Sequence, residues 1–104
     1  MVASKTYEIV WDKNAFDDLV QILNYLETHS IQAPQIVKKA VLDRLKVIKS
    51  NPLISEKDKL RNPPDLNFRS FVVFSYRIAY QIHNESNEIR ILRIRHTSRE
   101  PLGY

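Results

Sequence analysis

"SYRIAYQIHNESNEIRILRIR", residues 75–95, holds two apolar alternations separated by four polar residues, and this pattern decides the fold. In the first run Tyr76, Ile78, Tyr80 and Ile82 fall on one face of an extended chain, and Arg77, Ala79, Gln81 and His83 on the other. So clean an alternation predicts a strand with one face against helices and one face open. In the second run, 88–95, Ile91 and Leu92 are adjacent. Either both of its faces are partly buried or a bulge shifts the register. The intervening NESN, residues 84–87, is turn chemistry, so the two runs form an antiparallel pair.

Upstream, NFRSFVVF at 67–74 reads as a third strand. Before it, residues 52–66 hold three of the five prolines together with SEKDK, a polar, irregular connection expected to be mobile. Near the N-terminus Tyr7, Ile9 and Trp11 alternate with polar or small neighbours, which predicts a strand over 5–11. Asp12 can cap a helix starting near Lys13, in which Ala15, Leu19, Ile22, Leu23 and Leu26 form one apolar stripe widened by Phe16 and Val20. His29 to Ala33 break that pattern, and Pro34 suits the first turn of a second helix. Its apolar face is Val37, Ala40, Val41, Leu45 and Ile48, its other side is rich in lysine, and Asn51-Pro52 ends it. The result is a single α+β domain over residues 1–104, ordered β-α-α-β-β-β, with a helical hairpin packed on a largely antiparallel four-stranded sheet.

The chain carries a net charge of +4, and its distribution is uneven. All eight lysines lie at or before Lys59, whereas seven of the eight arginines lie at or after Arg61. Residues 60–104 set those seven arginines against Asp65, Glu85, Glu88 and Glu100, a balance of +3. Arginine's planar fork suits phosphate and carboxylate recognition, so the composition points to an acidic partner or else to a generic basic surface. There is no cysteine, which excludes disulfides, thiol catalysis and thiolate metal sites and fits a reducing compartment. No apolar run reaches the length of a membrane span and MVASKTYEIVW lacks a signal-peptide core, so the cytoplasm is the expected location.

Several chemistries are excluded by residue type. Gly103 is the sole glycine, which rules out a glycine-rich phosphate loop. His29, His83 and His96 lack metal-ligand spacing, and Ser98 has no nucleophile-elbow glycines, so no metal and no cofactor is expected. What remains is the open sheet face and the tail. Arg77, on a strand interior, can clamp a phosphate or stabilise developing charge, or can instead form a cross-strand salt bridge to Glu88. His96, just past the last strand, can serve as a general acid or base, or can simply pack at the strand end. Tyr104 can stack on a base or deliver a proton, or be an unstructured terminus. Arg77, His96, Arg99 and Tyr104 could together cover the base, acid and cation roles of metal-free RNA cleavage, while Arg69, Arg90, Arg93 and Arg95 would supply binding charge.

The segments YEIVWDKNAFDDLVQILNYL at 7–26, FRSFVVFSYRIAYQI at 68–82 and EIRILRIRHTSRE at 88–100 resemble the RelE/ParE superfamily of toxins, as does the order of elements. The resemblance covers essentially the whole chain. It implies the toxin of a bacterial type II toxin–antitoxin module, neutralised in a hetero-oligomer by a cognate antitoxin, an acidic or mixed-charge and partly disordered segment that wraps it. ParE-like members inhibit DNA gyrase, and that target is favoured here. RelE-like members cut mRNA on the ribosome with strand-borne basic residues and a terminal tyrosine, and this is the alternative. A member that only binds its antitoxin is a third.

Arg77 matches the family's strand arginine, and Arg99 and Tyr104 approximately match the RelE-like terminal pair. The strand before YR reads NFRSFVVF and lacks the lysine pair of RelE, which weakens the nuclease assignment. His96 keeps it open, because other nuclease branches use a histidine near the last strand.

Overall fold

A computed structural model of the chain describes residues 6–57 and 67–99. The elements run β1 (Glu8–Trp11), α1 (Lys13–Glu27), α2 (Ala33–Ser50), a 3-10 turn (Pro52–Ile54), β2 (Glu56–Lys57), β3 (Phe68–Val73), β4 (Tyr76–His83), β5 (Glu88–His96) and a closing 3-10 turn (Thr97–Arg99). The expected order holds with one addition. The proline-rich connection contributes β2, two residues paired antiparallel with β3 at Glu56–Ser70 and Lys57–Arg69. The rest of the segment expected to be mobile, residues 58–66, lies outside the described residues.

Strands lie in the order β1-β5-β4-β3-β2, antiparallel except for the parallel pair of β1 with β5. That one parallel pair follows from chain length: the whole helical hairpin separates β1 from the later strands, so β1 can return alongside the last of them.

Local chemistry sets the helix ends. Asp12 is extended, and its carboxylate accepts the Asn14 amide at 2.9 Å, which starts α1. Ser30 Oγ accepts the amides of Gln32 and Ala33, both at 3.2 Å, and Pro34 fills the first turn of α2, where a missing N–H costs nothing. Ala15 and Leu19 of α1 and Val37, Val41, Leu45 and Ile48 of α2 bury against Tyr76, Ile78, Tyr80 and Ile82 of β4 and Ile89, Ile91 and Ile94 of β5. Tyr80 is wholly buried and donates from its hydroxyl to the Pro52 carbonyl at 2.6 Å, pinning the exit of α2 to the sheet. Phe16 and Val20, which widen the α1 stripe in sequence, remain exposed.

The face away from the helices is less open than the alternation of β4 predicts. Ala79, Ser70 and Phe68 are buried on it. Ser70 and Ala79 are small cross-strand partners, and the longer Arg77 side chain beside them donates to Ser70 Oγ at 3.2 Å. Among the described residues no helix is long and apolar enough to cross a membrane.

Candidate functional site

The register shift between β4 and β5 decides which arginines share a face. Tyr80 stands opposite Ile91 and Ala79 opposite Arg93, so Leu92 is an extra residue in β5. Without it Arg93 and Arg95 would share the face of Ile89 and Ile91, toward the helices. With it, Glu88, Arg90, Arg93 and Arg95 join Arg77, Gln81 and His83 on the outer face, while Ile94 and His96 join the core side.

On that outer face Arg77 and Arg95 are directly opposed across the strands. Like charges in this position destabilise a sheet unless a counter-charge offsets them. The Nε atoms of Arg95 and Arg90 are buried without a hydrogen-bond partner. Arg90 reaches Glu88 Oε1 only at 3.4 Å in a half-exposed contact. Glu88 itself faces His83, at the other end of β4 from Arg77, so the cross-strand salt bridge considered for Arg77 does not form with it. Among the described residues the outer face is therefore rich in arginine, a composition suited to an anionic or acidic partner.

The other candidates disperse. Arg69 stands opposite Tyr80 on the helix-facing side, half-buried, with Nη1 donating to the Ser55 carbonyl at 3.1 Å. Arg93 is held by Asp18 of α1 through contacts of 2.9 and 3.3 Å, which matches its charge. Arg99 ends the last 3-10 turn, and its side chain and all of Tyr104 lie outside the described residues.

His96 lies across from Tyr76, its ring edge-on with centroids 5.4 Å apart. Its Nδ1 takes the Ser98 amide at 3.1 Å and lies 2.8 Å from Ser98 Oγ. A backbone amide can only donate, so Nδ1 is the acceptor and the proton of the neutral ring sits on Nε2. In that form the ring offers a donor and no free base. It lines an open cleft of about 630 Å³ between α1 and the end of β5, together with Gln21, Tyr25, Tyr76 and Arg95. Among the described residues no cluster of His, Asp or Glu forms a metal site.

The family model of the ParE toxin of type II toxin–antitoxin systems matches residues 9–101. This chain belongs to the ParE toxin family. No curated protein matches the toxin's sequence. Its fold is similar to that of the toxin–antitoxin complex RelBE2 from Mycobacterium tuberculosis, at 19% identity and a TM-score of 0.59, covering 90% of this chain and 94% of the other. It is also similar to the chromosomal ParDE system of P. aeruginosa, at 17% identity and a TM-score of 0.64, covering 89% and 98%. A mutant of the E. coli toxin RelE in its free state gives 20% identity and a TM-score of 0.65, covering 91% and 87%. At these identities the likeness is one of fold.

Of the four residues read as a nuclease set, the toxin places Arg77 on the outer face and His96 on the helix side. Asp18 and Ser98 were missed in the sequence. Asp18 did leave a signal, being a carboxylate beside Leu19 at the margin of the apolar stripe of α1. Ser98 left none, since its role depends on the turn that folds it back on His96.

Proposed function

We propose that this ParE-family toxin arrests growth in the cytoplasm by binding DNA gyrase, and that a cognate antitoxin neutralises it by covering its basic surface. The observation that carries the gyrase target is the split between Arg77 and His96. A single RNA-cleaving centre needs base, acid and cation around one phosphate, whereas Arg77 stands on the outer face and His96 on the helix side, where Arg95 rather than Arg77 shares its cleft. The engaged Nδ1 of His96 also leaves no free lone pair for a general base. A binding inhibitor needs only a surface of matched charge and shape, which the outer strip offers. The systems from M. tuberculosis and P. aeruginosa are toxin–antitoxin systems, and this supports an antitoxin for the present chain.

The competing assignment is a ribosome-dependent mRNA endonuclease. Arg77 and Arg95 side by side are the feature in its favour, since paired guanidiniums suit phosphate. Purified toxin added to a gyrase supercoiling assay, with mRNA integrity followed after induction in cells, separates the two. Blocked supercoiling with intact mRNA supports the proposal. Cleaved mRNA with normal supercoiling ends it.

A further inference from the structure

Phe74 is in the wrong place for a residue that serves only the fold. Phe74 and Ser75 form the two-residue link between β3 and β4, whose last facing pair is Val73 and Tyr76. Phe74 sits there at φ 55°, in the left-handed region. That region is disfavoured for a bulky side chain and is normally filled by Gly, Asn or Asp in hairpins of this length. The chain supplies its own control. The other non-glycine residue at φ 55° among those described is Asn87, at the turn between β4 and β5, where the residue type fits the backbone. At 74 the same backbone demand is met by an aromatic, and its side chain gains little in return, being 64% exposed.

What surrounds the tip gives the ring a use. Val72, 48% exposed, stands opposite Arg77, and Arg77 stands opposite Arg95, so an aliphatic side chain and two guanidiniums form one row across three strands. The Ser75 carbonyl accepts the Thr97 amide at 2.8 Å, which ties the backbone of the turn to the end of β5, next to that row. Backbone strain that the fold does not use is a mark of function, and an exposed aromatic at the end of a row holding two arginines has the composition of a protein-binding hot spot.

We infer that Phe74 is the anchor residue by which the toxin engages its target, inserting into an apolar pocket of a protein surface rimmed by carboxylates that meet Arg77 and Arg95. The partner is taken to be a protein because that is the class of target proposed above, and an exposed aromatic beside an exposed aliphatic, Phe74 with Val72, suits an apolar protein pocket. The inference rests on the proposal that the target is a protein and adds the residue that recognises it.

The test compares wild type, Phe74→Asn and Phe74→Tyr, each induced in bacteria without antitoxin and each purified for thermal unfolding and gyrase supercoiling. Asn suits the backbone at 74, so its variant should unfold at the same temperature as wild type or a few degrees higher. It should nevertheless need about tenfold more protein for equal growth arrest. Phe74→Tyr should keep toxicity. An Asn variant as toxic as wild type overturns the inference, as does one that loses stability along with toxicity, because the ring would then serve the fold. An Asn variant that loses mRNA cleavage overturns the protein partner in favour of RNA. If wild type leaves supercoiling intact while growth arrest still depends on Phe74, the gyrase target falls and the anchor stands with another protein.

Discussion

Asp18 Oδ2 lies 2.9 Å from both Arg93 Nε and the Ile94 amide nitrogen. β1 pairs with β5 only from Glu88 to Ile91, so among the described residues the edge of β5 beyond that point has no strand beside it. One carboxylate of α1 closes that edge. It satisfies a backbone donor and a guanidinium together, with Oδ1 3.3 Å from Arg93 Nη2.

Replacing Asp18 by Ala should therefore destabilise the fold by about 2–4 kcal/mol, since it leaves a half-buried guanidinium and an amide without their acceptor. Asp18→Asn keeps an oxygen for the Ile94 amide and loses only the charge, so its cost should be smaller, about 1–2 kcal/mol. Urea unfolding measures both. Equal losses in the two variants would show that the charge, and not the edge closure, carries the energy.

Arg95 should behave in the opposite way. It opposes Arg77 and buries an unpartnered Nε, so Arg95→Gln relieves repulsion and leaves stability within about 0.5 kcal/mol of wild type or above it. Growth arrest should weaken, because the same change removes charge from the outer strip. A variant that is less stable and fully toxic would make Arg95 a structural residue.

The hydrogen bonds of His96 predict its tautomer. Nitrogen-15 correlation spectra of the neutral protein should show Nδ1 as the unprotonated nitrogen and Nε2 carrying the proton. Ser98→Pro deletes the donating amide and should release this preference. A proton on Nδ1 in the wild-type protein would restore His96 as a candidate base and reopen the nuclease assignment.

Burial raises the pKa of Tyr80 above its ordinary 10.0, with Ser55 and the charges of Arg69 and Arg44 pulling the other way and not prevailing. Folding thus favours the protonated phenol. The stability this contributes is fully present below about pH 10, where the unfolded tyrosine is also protonated. It declines as pH rises toward the folded value, because the unfolded chain ionises first. Tyr80→Phe should flatten that alkaline decline, while costing about 1–2 kcal/mol at neutral pH through the unpartnered Pro52 carbonyl. Unchanged alkaline behaviour in the variant would assign the decline to other groups.

The sequence by itself determined whatever depends on neighbours along the chain. Asp12 and Pro34 mark helix starts because capping and proline geometry are local, and Tyr76 to His83 declare a strand because side chains alternate with a period of two. The Ile91–Leu92 doublet left two readings open, burial on both faces or a bulge, between which the sequence does not choose.

The tertiary structure alone decided which face each arginine takes. A bulge is located by its partner strand, and placing the extra residue at Leu92 moves Arg93, Arg95 and His96 each to the opposite face. The same holds for Asp18 and Arg93, which are distant in sequence and meet where the pairing of β1 with β5 has ended. It holds too for Phe74, whose cost is a backbone angle set by the strands on either side of it. Local propensities fix the elements, whereas register and edges, which no short window contains, fix the surface this toxin presents.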